Sequence, residues 1–171
     1  GGNYIMYSAD YPFVEIGENV KIWHPHLVNI YGKPRGRTKI EDGVEIGPFV
    51  EIQDECYIGA NTIIHSHVFI PSGTIIGNNA FIGSGTSLCN DRYPIAKNDN
   101  WKKESVVVGA YVSIGANCTI LPGITIGDYS LIGAGSVVTK NVLIREVVCG
   151  NPAKLLRYRT EEEICLVKSK W

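Results

Sequence analysis

"IEDGVEIGPFVEIQDECYIGANTIIHSHVFIPSGTIIGNNAFIGSGTSL" occupies residues 40–88 and has an aliphatic side chain at every sixth position. Helices repeat near 3.6 residues and strands at 2, so neither element alone explains this period. An unbroken repeat of fixed length is typical of a solenoid, in which equal turns of chain stack on one another. The aliphatic column consists of Ile40, Ile46, Ile52, Ile58, Ile64, Ile70, Ile76, Ile82 and Leu88.

Two further columns accompany the aliphatic one. Small or β-branched residues stand two places before each aliphatic, as in Thr38, Val44, Val50, Cys56, Thr62, Val68, Thr74, Ala80 and Thr86. Alternation of two inward positions is strand-like. Glycine recurs directly after the aliphatic, where a corner with positive φ would cost little; these are Gly17, Gly47, Gly59, Gly77, Gly83, Gly109, Gly115, Gly127 and Gly133. Three such six-residue units close a triangular coil, so the sequence predicts an all-β, prismatic parallel β-helix.

The repeat extends on both sides of residues 40–88. Before them the same phase accommodates Ile16, Ile22, Val28 and Pro34, and after an interruption it resumes at Val108, Ile114, Ile120, Ile126, Ile132 and Val138. We therefore expect roughly seven coils. General handedness rules for parallel crossovers would favour a right-handed helix.

Two segments depart from the repeat. The step from Leu88 to Val108 is twenty residues where six would suffice, so fourteen residues are inserted. Polar insertions on a rigid scaffold often carry function, although a tolerated surface loop is the alternative. Thr160 and Glu163 form a capping-box pattern that predicts a short helix. The sequence thus predicts a β-helix domain over 1–159 with an external loop at 89–105, followed by a helical tail at 160–171.

Bulk properties exclude several classes of function. The 171 residues have a formal net charge of −1, so no global field favours nucleic acid or a membrane surface. No apolar run approaches the ~18 residues of a membrane span, and the N-terminus lacks the pattern of a signal peptide. Five cysteines without a Cys-x-x-Cys pair favour a reducing compartment. We expect a cytoplasmic protein.

Several motifs between Val20 and Arg157 resemble the left-handed β-helix (hexapeptide-repeat) acyltransferases, and within them the nucleotide-sugar N-acetyltransferases. They are "HPHLVNIYG", "FVEIQ", "HSHVFI", "CNDRYP", the "GANCTILPGITIG…IGAGSVVTKNV" run and "GNPAK". The resemblance implies a left-handed solenoid and a homotrimer with acetyl-CoA in grooves between subunits. It also implies acetylation of an amino group, commonly at C3, on a UDP- or dTDP-linked sugar for surface glycan or lipopolysaccharide biosynthesis. Ser84 and Thr86 depart from the family pattern, which has His and a larger apolar residue there.

Three residues are candidates for catalysis. Asn90 would position the sugar amine, and Asp91 would hold the loop or take a proton; alternatively both residues cap a turn. His67 points outward between Phe49 and Gly85 in the eighteen-residue register, beside an expected hollow, and its imidazole could accept the amine's proton. The alternatives are a solvated or interface histidine, with the leaving thiolate as proton acceptor. The register puts His67 and Asn90 on the order of 10 Å apart, so a neighbouring subunit would have to bring them together unless the loop folds back.

Candidate substrate-binding residues lie in the early coils and at the start of the inserted loop. In "KPRGRTK" and the residues before it, aromatic platforms and guanidinium groups suit a base and a pyrophosphate, while a solvated bulge is the alternative. The set comprises His24, Asn29, Tyr31, Arg35, Arg37, His65, Arg92 and Tyr93.

A second basic cluster suggests a coenzyme A site, because coenzyme A carries a diphosphate and a 3′-phosphate. The cluster is Lys140, Arg145, Lys154, Arg157 and Arg159, and in the sequence only Glu146 opposes it. Small residues in the late coils permit close approach of the pantetheine arm, and the resemblance places that arm against the backbone of Ala116, Gly133, Ala134 and Gly135.

The predicted function is an acetyl-CoA-dependent sugar N-acetyltransferase without a metal. The four histidines form two His-x-His pairs, which do not match the usual zinc-ligand spacings. Two alternatives remain open at this point. One is an O-acetyltransferase of a sugar or of serine, which would need a firmer base, and the other is a non-catalytic β-helix that binds partners.

Overall fold

The computed structural model describes residues 11–171, so the first ten residues of the predicted domain lie outside the described part. The chain winds as the predicted left-handed parallel β-helix, with one protruding loop and one short C-terminal helix. Three parallel sheets form the faces of a triangular prism.

From β1 to β18 the strands rotate strictly over the three faces, and β19 and β20 both join sheet B. Sheet A contains β1 (Val14–Ile16), β4 (Thr38–Ile40), β7 (Tyr57–Ile58), β10 (Ile75–Ile76), β13 (Val107–Val108) and β16 (Thr125–Ile126). Sheet B contains β2 (Lys21–Ile22), β5 (Glu45–Ile46), β8 (Ile63–Ile64), β11 (Phe81–Ile82), β14 (Ser113–Ile114), β17 (Leu131–Ile132), β19 (Glu146–Gly150) and the antiparallel β20 (Ala153–Tyr158). Sheet C contains β3 (Asn29–Ile30), β6 (Glu51–Ile52), β9 (Phe69–Ile70), β12 (Ser87–Leu88), β15 (Thr119–Ile120) and β18 (Val137–Val138).

Within residues 11–171 these strands make six complete coils and a partial seventh. In the seventh coil, β19 stacks on β17 and Val142 bridges to Ile126, while sheet C ends at β18. The expected number of roughly seven coils is confirmed.

The interior is the predicted ladder of stacked aliphatic side chains. Every residue of the column from Ile40 to Leu88 is at most 1 % exposed, and so are most of the residues two places earlier. Polar members of the second column bond to backbone carbonyls of adjacent corners; Thr62 Oγ1 donates to Gly77 O at 2.8 Å and Cys56 Sγ to Pro71 O at 3.2 Å. The ladder therefore buries threonine and cysteine without leaving their polar atoms unsatisfied.

The predicted phase is wrong in the first coil. Ile30, and not Val28, occupies the aliphatic column there, because a 3-10 helix at Pro25–Leu27 inserts two residues. A small excursion then follows, closed by a bridge between Lys33 and Gly36, and adds four more. The spacings are eight from Ile22 to Ile30 and ten from Ile30 to Ile40, so the two insertions sum to one hexad and the later phase is restored.

The recurring glycines serve a different purpose from the one predicted. Positive φ falls two residues later in each corner, at positions such as Asn61, His67 and Gly85. A Cβ at Gly77 would approach the backbone nitrogen of Ala110 in the next coil to 2.6 Å, and one at Gly83 would approach that of Ala116 equally closely. Real Cβ atoms do not tolerate this distance, so glycine is needed because successive coils nearly touch at the corner.

The C-terminal tail begins as the sequence predicts. Helix α1 spans Glu161–Lys168, and Thr160 and Glu163 form the reciprocal capping box. Ile164 is buried against the body of the protein, and Lys168 Nζ lies 5.2 Å from the ring centroid of Tyr129. The helix is thereby held against the solenoid at the corners that link sheets A and B.

Candidate functional site

The candidate residues lie on two vertical edges of the prism. We call the corners between sheets B and C the histidine edge; they comprise residues 23–27, 47–49, 65–67, 83–85, 115–117 and 133–135. We call the corners between sheets C and A the loop edge; they comprise residues 31–37, 53–55, 71–73, 89–106, 121–123 and 139–141. The face of sheet C separates the two edges, so one chain cannot bring them into contact.

His65 and His67 occupy one corner of the histidine edge and face different sides. His67 has φ of +60° and its ring stacks on Phe49, with centroids 4.8 Å apart and planes 18° apart. His65 tilts against Phe81 at 4.8 Å and lines a cavity of 250 Å³ together with Trp23, Pro48 and Ser66. The predicted stacking of His67 over Phe49 is therefore present.

The hollow expected above His67 is filled within the chain. Gly85 has φ of +73°, and a Cβ there would collide with Oδ1 of Asn117. The Asn117 amide from the next coil thus covers the place that glycine leaves open. The sequence register correctly located Gly85 but could not show that a side chain one coil higher reaches over it.

Asn90 lies on the loop edge, directly above Ser72. Its Nδ2 donates to Ser72 O at 3.2 Å, and its backbone carbonyl accepts from Glu104 N at 2.9 Å. The Asp91 carboxylate accepts from Tyr93 N at 3.0 Å, which is the turn-capping contact expected as the structural alternative for this residue. Tyr93 itself is exposed.

The loop is fastened to coils above and below it. Arg92 makes a two-pronged ion pair with Glu104, and its Nη2 donates to Pro122 O at 3.1 Å. Lys103 pairs with Glu55 two coils below. The loop therefore does not fold back towards His67, and Arg92 is already occupied by an intrachain carboxylate.

The "KPRGRTK" segment is largely neutralised. Lys33 pairs with Asp54 at 2.9 Å and Arg37 with Glu15 at 3.2 Å, while Lys39 pairs with Glu41. Arg35 is exposed and has no ion-pair partner among residues 11–171. Tyr31 shares the loop edge with this segment, Asn29 lies on sheet C, and His24 lies on the histidine edge beside His26. The aromatic platform and the guanidinium groups therefore do not form one pocket within one chain.

Small residues line the histidine edge above His67. Residues 83–85, 115–116 and 133–135 have no side chain larger than serine, and the space around a Cβ at Gly135 is empty within 4 Å. Ala116, Gly133, Ala134 and Gly135 thus belong to a strip of small residues on the histidine edge, which is open at Gly135.

The basic residues at that end divide into two groups. Lys140 and Lys154 line one cavity of 310 Å³ together with Asn141 and Pro152. Arg157 instead forms a two-pronged pair with Glu163, and Arg145 pairs with Glu161. The expectation that only Glu146 opposes this cluster is wrong, because the capping of α1 brings two further carboxylates to it.

Arg159 belongs to the packing of the tail and not to an open rim. Arg159 is 4 % exposed, and its Nη2 donates to Ser113 Oγ at 2.8 Å. Burial lowers the pKa of this guanidinium from its ordinary value, with Glu163 opposing the shift. It has no access to a ligand in solution.

Sequence reasoning missed the residues that support Asn90. Asp54, Ser72 and Asn90 are eighteen residues apart and form one column of the loop edge, so the register already contained this signal. Nothing in the sequence pointed to Lys103 and Glu55, which are 48 residues apart. Within residues 11–171, no three His, Cys, Asp or Glu side chains converge as a metal site, and no helix is long and apolar enough to cross a membrane.

Comparison with known sequences finds similar repeats. The family model described as "Bacterial transferase hexapeptide (six repeats)" matches residues 37–72 and 105–140, one stretch on each side of the loop. The chain is 43 % identical over 67 residues to a chloramphenicol acetyltransferase of Agrobacterium fabrum, and 40 % identical over 65 residues to the galactoside O-acetyltransferase of Escherichia coli. Each match covers 38 % of this chain and 32 % of the relative, so the similarity spans about a third of the relatives' length.

Solved structures share the fold over most of the chain. The polySia-specific acetyltransferase NeuO superposes with a TM-score of 0.73 at 22 % identity, covering 87 % of this chain and 75 % of that one. The acetyl-CoA complex of the hexapeptide-repeat acetyltransferase VCA0836 from Vibrio cholerae gives 0.65 at 25 %, covering 80 % and 74 %. A mutant of AntD, an N-acyltransferase from Bacillus cereus in complex with dTDP and coenzyme A, gives 0.60 at 22 %, covering 91 % and 89 %.

Proposed function

We propose that this hexapeptide-repeat chain is an acetyl-CoA-dependent N-acetyltransferase. Its substrate would be a nucleotide-linked amino sugar, acetylated on the amino group at C3 for a surface glycan such as lipopolysaccharide. One pair of observations carries the proposal: small residues run along the histidine edge above His67, and a cavity lined by Lys140 and Lys154 lies at the C-terminal end of the solenoid. Small side chains would let an extended pantetheine arm approach the backbone, and the two ammonium groups at the end of the solenoid suit the phosphates of coenzyme A.

The similarity to known acyltransferases supports both co-substrates. VCA0836 was solved with acetyl-CoA, and AntD was solved with dTDP and coenzyme A. A nucleotide-linked sugar is the substrate class that the "CNDRYP" loop and the "HPHLVNIYG" segment also favour by resemblance. Trp23 is 45 % exposed beside the cavity that His65 lines and would offer a stacking surface to the base.

The proposal includes a homotrimer with sites between subunits, and the separation of the two edges supports such shared sites. His67 and the strip of small residues lie on the histidine edge, while Asn90 lies across the face of sheet C on the loop edge. A site that uses both therefore needs the histidine edge of one copy beside the loop edge of another. Closed cyclic symmetry would repeat this contact at every subunit boundary.

The proposed reaction uses few protein groups. The neutral sugar amine attacks the thioester carbonyl carbon, a C–N bond forms, and the C–S bond then breaks to release coenzyme A thiolate. Backbone N–H groups would stabilise the oxyanion of the tetrahedral intermediate. Asn90 would orient the amine, and the amine's proton would pass to His67 or to the departing thiolate, giving an amide and free coenzyme A.

Steady-state kinetics test these roles. A panel of UDP- and dTDP-linked amino sugars is incubated with acetyl-CoA, and thiol release is followed from pH 6 to 9. If His67 is the general base, His67→Ala should lower kcat by about 100-fold with little change in KM. If the thiolate is the acceptor, the loss should be smaller and Asn90→Ala should be the more damaging variant, because the amine is misplaced. We expect the second result; full activity in both variants would remove both residues from the site.

The coenzyme A assignment has its own variant and control. Lys154→Glu should weaken coenzyme A binding more than nucleotide-sugar binding, with a smaller difference at high salt. Lys170→Glu makes the same charge change at an exposed residue beyond α1 and should leave both affinities near the parent values. Equal losses for both ligands in Lys154→Glu would contradict the assignment.

An O-acetyltransferase is the second candidate, because the galactoside O-acetyltransferase of Escherichia coli is among the relatives. A hydroxyl must lose its proton as it attacks, so this reaction depends more strongly on a base. Acetylation of the hydroxyl sugars in the same panel, with an essential His67, would favour it over the amino-sugar reaction.

A cytoplasmic location belongs to the same proposal. The five cysteines, all within residues 11–171, are unpaired, and two of them are exposed. Unpaired exposed thiols suit a reducing compartment.

A further inference from the structure

We propose that Lys103 is a positioning residue for Asn90: its ion pair with Glu55 fixes the returning end of the loop, and that end holds Asn90. The inference rests on the proposed function, in which Asn90 orients the substrate amine. Lys103 itself touches no reacting atom in this scheme. Its effect passes through the neighbouring residue, Glu104.

The contacts of Asn90 leave one polar atom available. The side-chain atom that faces Ser72 O must be the NH₂ group, because a carbonyl can only accept. The orientation of the amide is therefore determined, and Oδ1 has no hydrogen-bond partner among residues 11–171. Oδ1 is thus an acceptor for a substrate N–H, provided that the Asn90 backbone does not move.

Ser72 is itself held from below. Its backbone N–H donates to Gln53 Oε1 at 3.1 Å, and its side chain bonds to Asp54. The Asp54 side chain is 6 % exposed and pairs with Lys33. Burial acts to raise the pKa of this carboxyl, but the hydrogen bond and charge of Lys33 outweigh it and leave the pKa below its ordinary value. The ionised Asp54 carboxylate, paired with Lys33, thus helps to hold Ser72, whose carbonyl accepts the hydrogen bond from the Asn90 amide.

Lys103, at the returning end of the loop, contacts the coils that lie below Asn90. Its ammonium group pairs with the Glu55 carboxylate and lies 3.5 Å from Ser72 Oγ. Its stem packs over Gly73, where an added Cβ would come within 3.1 Å of Lys103 Cδ and Cε. The next residue, Glu104, donates its N–H to the Asn90 carbonyl. A displacement of Lys103 therefore moves the group that holds the Asn90 backbone.

The adjacent lysine supplies a matched comparison. Lys102 is exposed and makes no ion pair within residues 11–171, whereas the Lys103 side chain is only 26 % exposed. A single exposed ion pair contributes little to stability. Loss of the Lys103 pair should therefore change the geometry at Asn90 more than it changes the stability of the whole solenoid.

Kinetics of five variants test the positioning role. Lys103→Met keeps the stem over Gly73 and removes the charge, and it should lower kcat about tenfold with the KM for acetyl-CoA unchanged. Lys103→Arg should recover most of the rate, and Lys102→Met should match the parent. If Lys103 acts through Asn90, adding Lys103→Met to Asn90→Ala should cause no further loss. Losses that multiply in the double variant would overturn the proposal.

A second measurement does not depend on activity. Hydrogen exchange of the Glu104 amide, followed by NMR, reports the bond to the Asn90 carbonyl directly. Lys103→Met should accelerate this exchange at least about fivefold, while the Thr119 amide, which bonds to Ser136 O in the core, should not change. Unchanged Glu104 exchange would refute the anchoring. If no amino sugar in the panel is acetylated, the proposed function fails, and the exchange result still decides whether Lys103 holds Asn90.

Discussion

Replacement of Ile76 by alanine tests the stacked interior quantitatively. Ile76 is 0 % exposed and lies in register between Ile58 below and Val108 above. The change removes three carbon atoms, worth about 2.4 kcal/mol at ~0.8 kcal/mol each. The rungs above and below are held by backbone hydrogen bonds, so the cavity cannot collapse and adds to this loss. We expect the free energy of unfolding to fall by about 3–5 kcal/mol.

The neighbouring isoleucine is the matched control. Ile75 belongs to the same strand but is 45 % exposed, so Ile75→Ala should cost about 1 kcal/mol. Urea denaturation at one fixed protein concentration measures both values, because association would otherwise shift the midpoints. Equal losses for the two variants, or a larger loss for Ile75→Ala, would refute the assignment of interior and exterior positions.

Two further predictions concern titratable groups. The ion pair with Arg157 and the capping N–H lower the pKa of Glu163 to about 2 from its ordinary value of 4.5. Its stabilising effect is therefore complete above about pH 4.5 and is lost as the pH falls through about 2; thermal midpoints of Glu163→Gln should lie below the parent at pH 7 and meet it near pH 2. Burial raises the pKa of Cys56 to about 12, so a thiol reagent at pH 8 should modify exposed Cys149 in the native protein and Cys56 only after unfolding. Modification of native Cys56 at the rate of Cys149 would contradict its interior position.

The fold could be predicted from the sequence wherever one local rule repeats. The column from Ile40 to Leu88 specifies strand, corner and stacking together, because each hexad repeats the same inward pair. The prediction was wrong at Val28, because two residues are inserted before Ile30 and four more after it. Together they make up one hexad, so the later phase is unchanged. It was also wrong about the corner glycines, because close approach between coils is a property of stacked backbones and not of one turn.

Part of the candidate site could likewise be predicted from the sequence. Counting hexads locates the loop, places Asn90 eighteen residues above Ser72, and separates it from His67. The charges could not be assigned in this way. The neutralisation of Arg157 by Glu163 requires the turn into α1, although only six residues separate the two.

The sequence by itself determined the solenoid, its interior column and the position of its interruption, since these depend on spacings that are repeated many times. Only the tertiary structure decided which polar side chains meet on its outer edges. Lys103 reaches Glu55 across 48 residues, and Arg159 reaches Ser113 across 46. Such pairs occur once, so no period marks them, and they form because the coils bring distant residues of one edge to within a side chain's length.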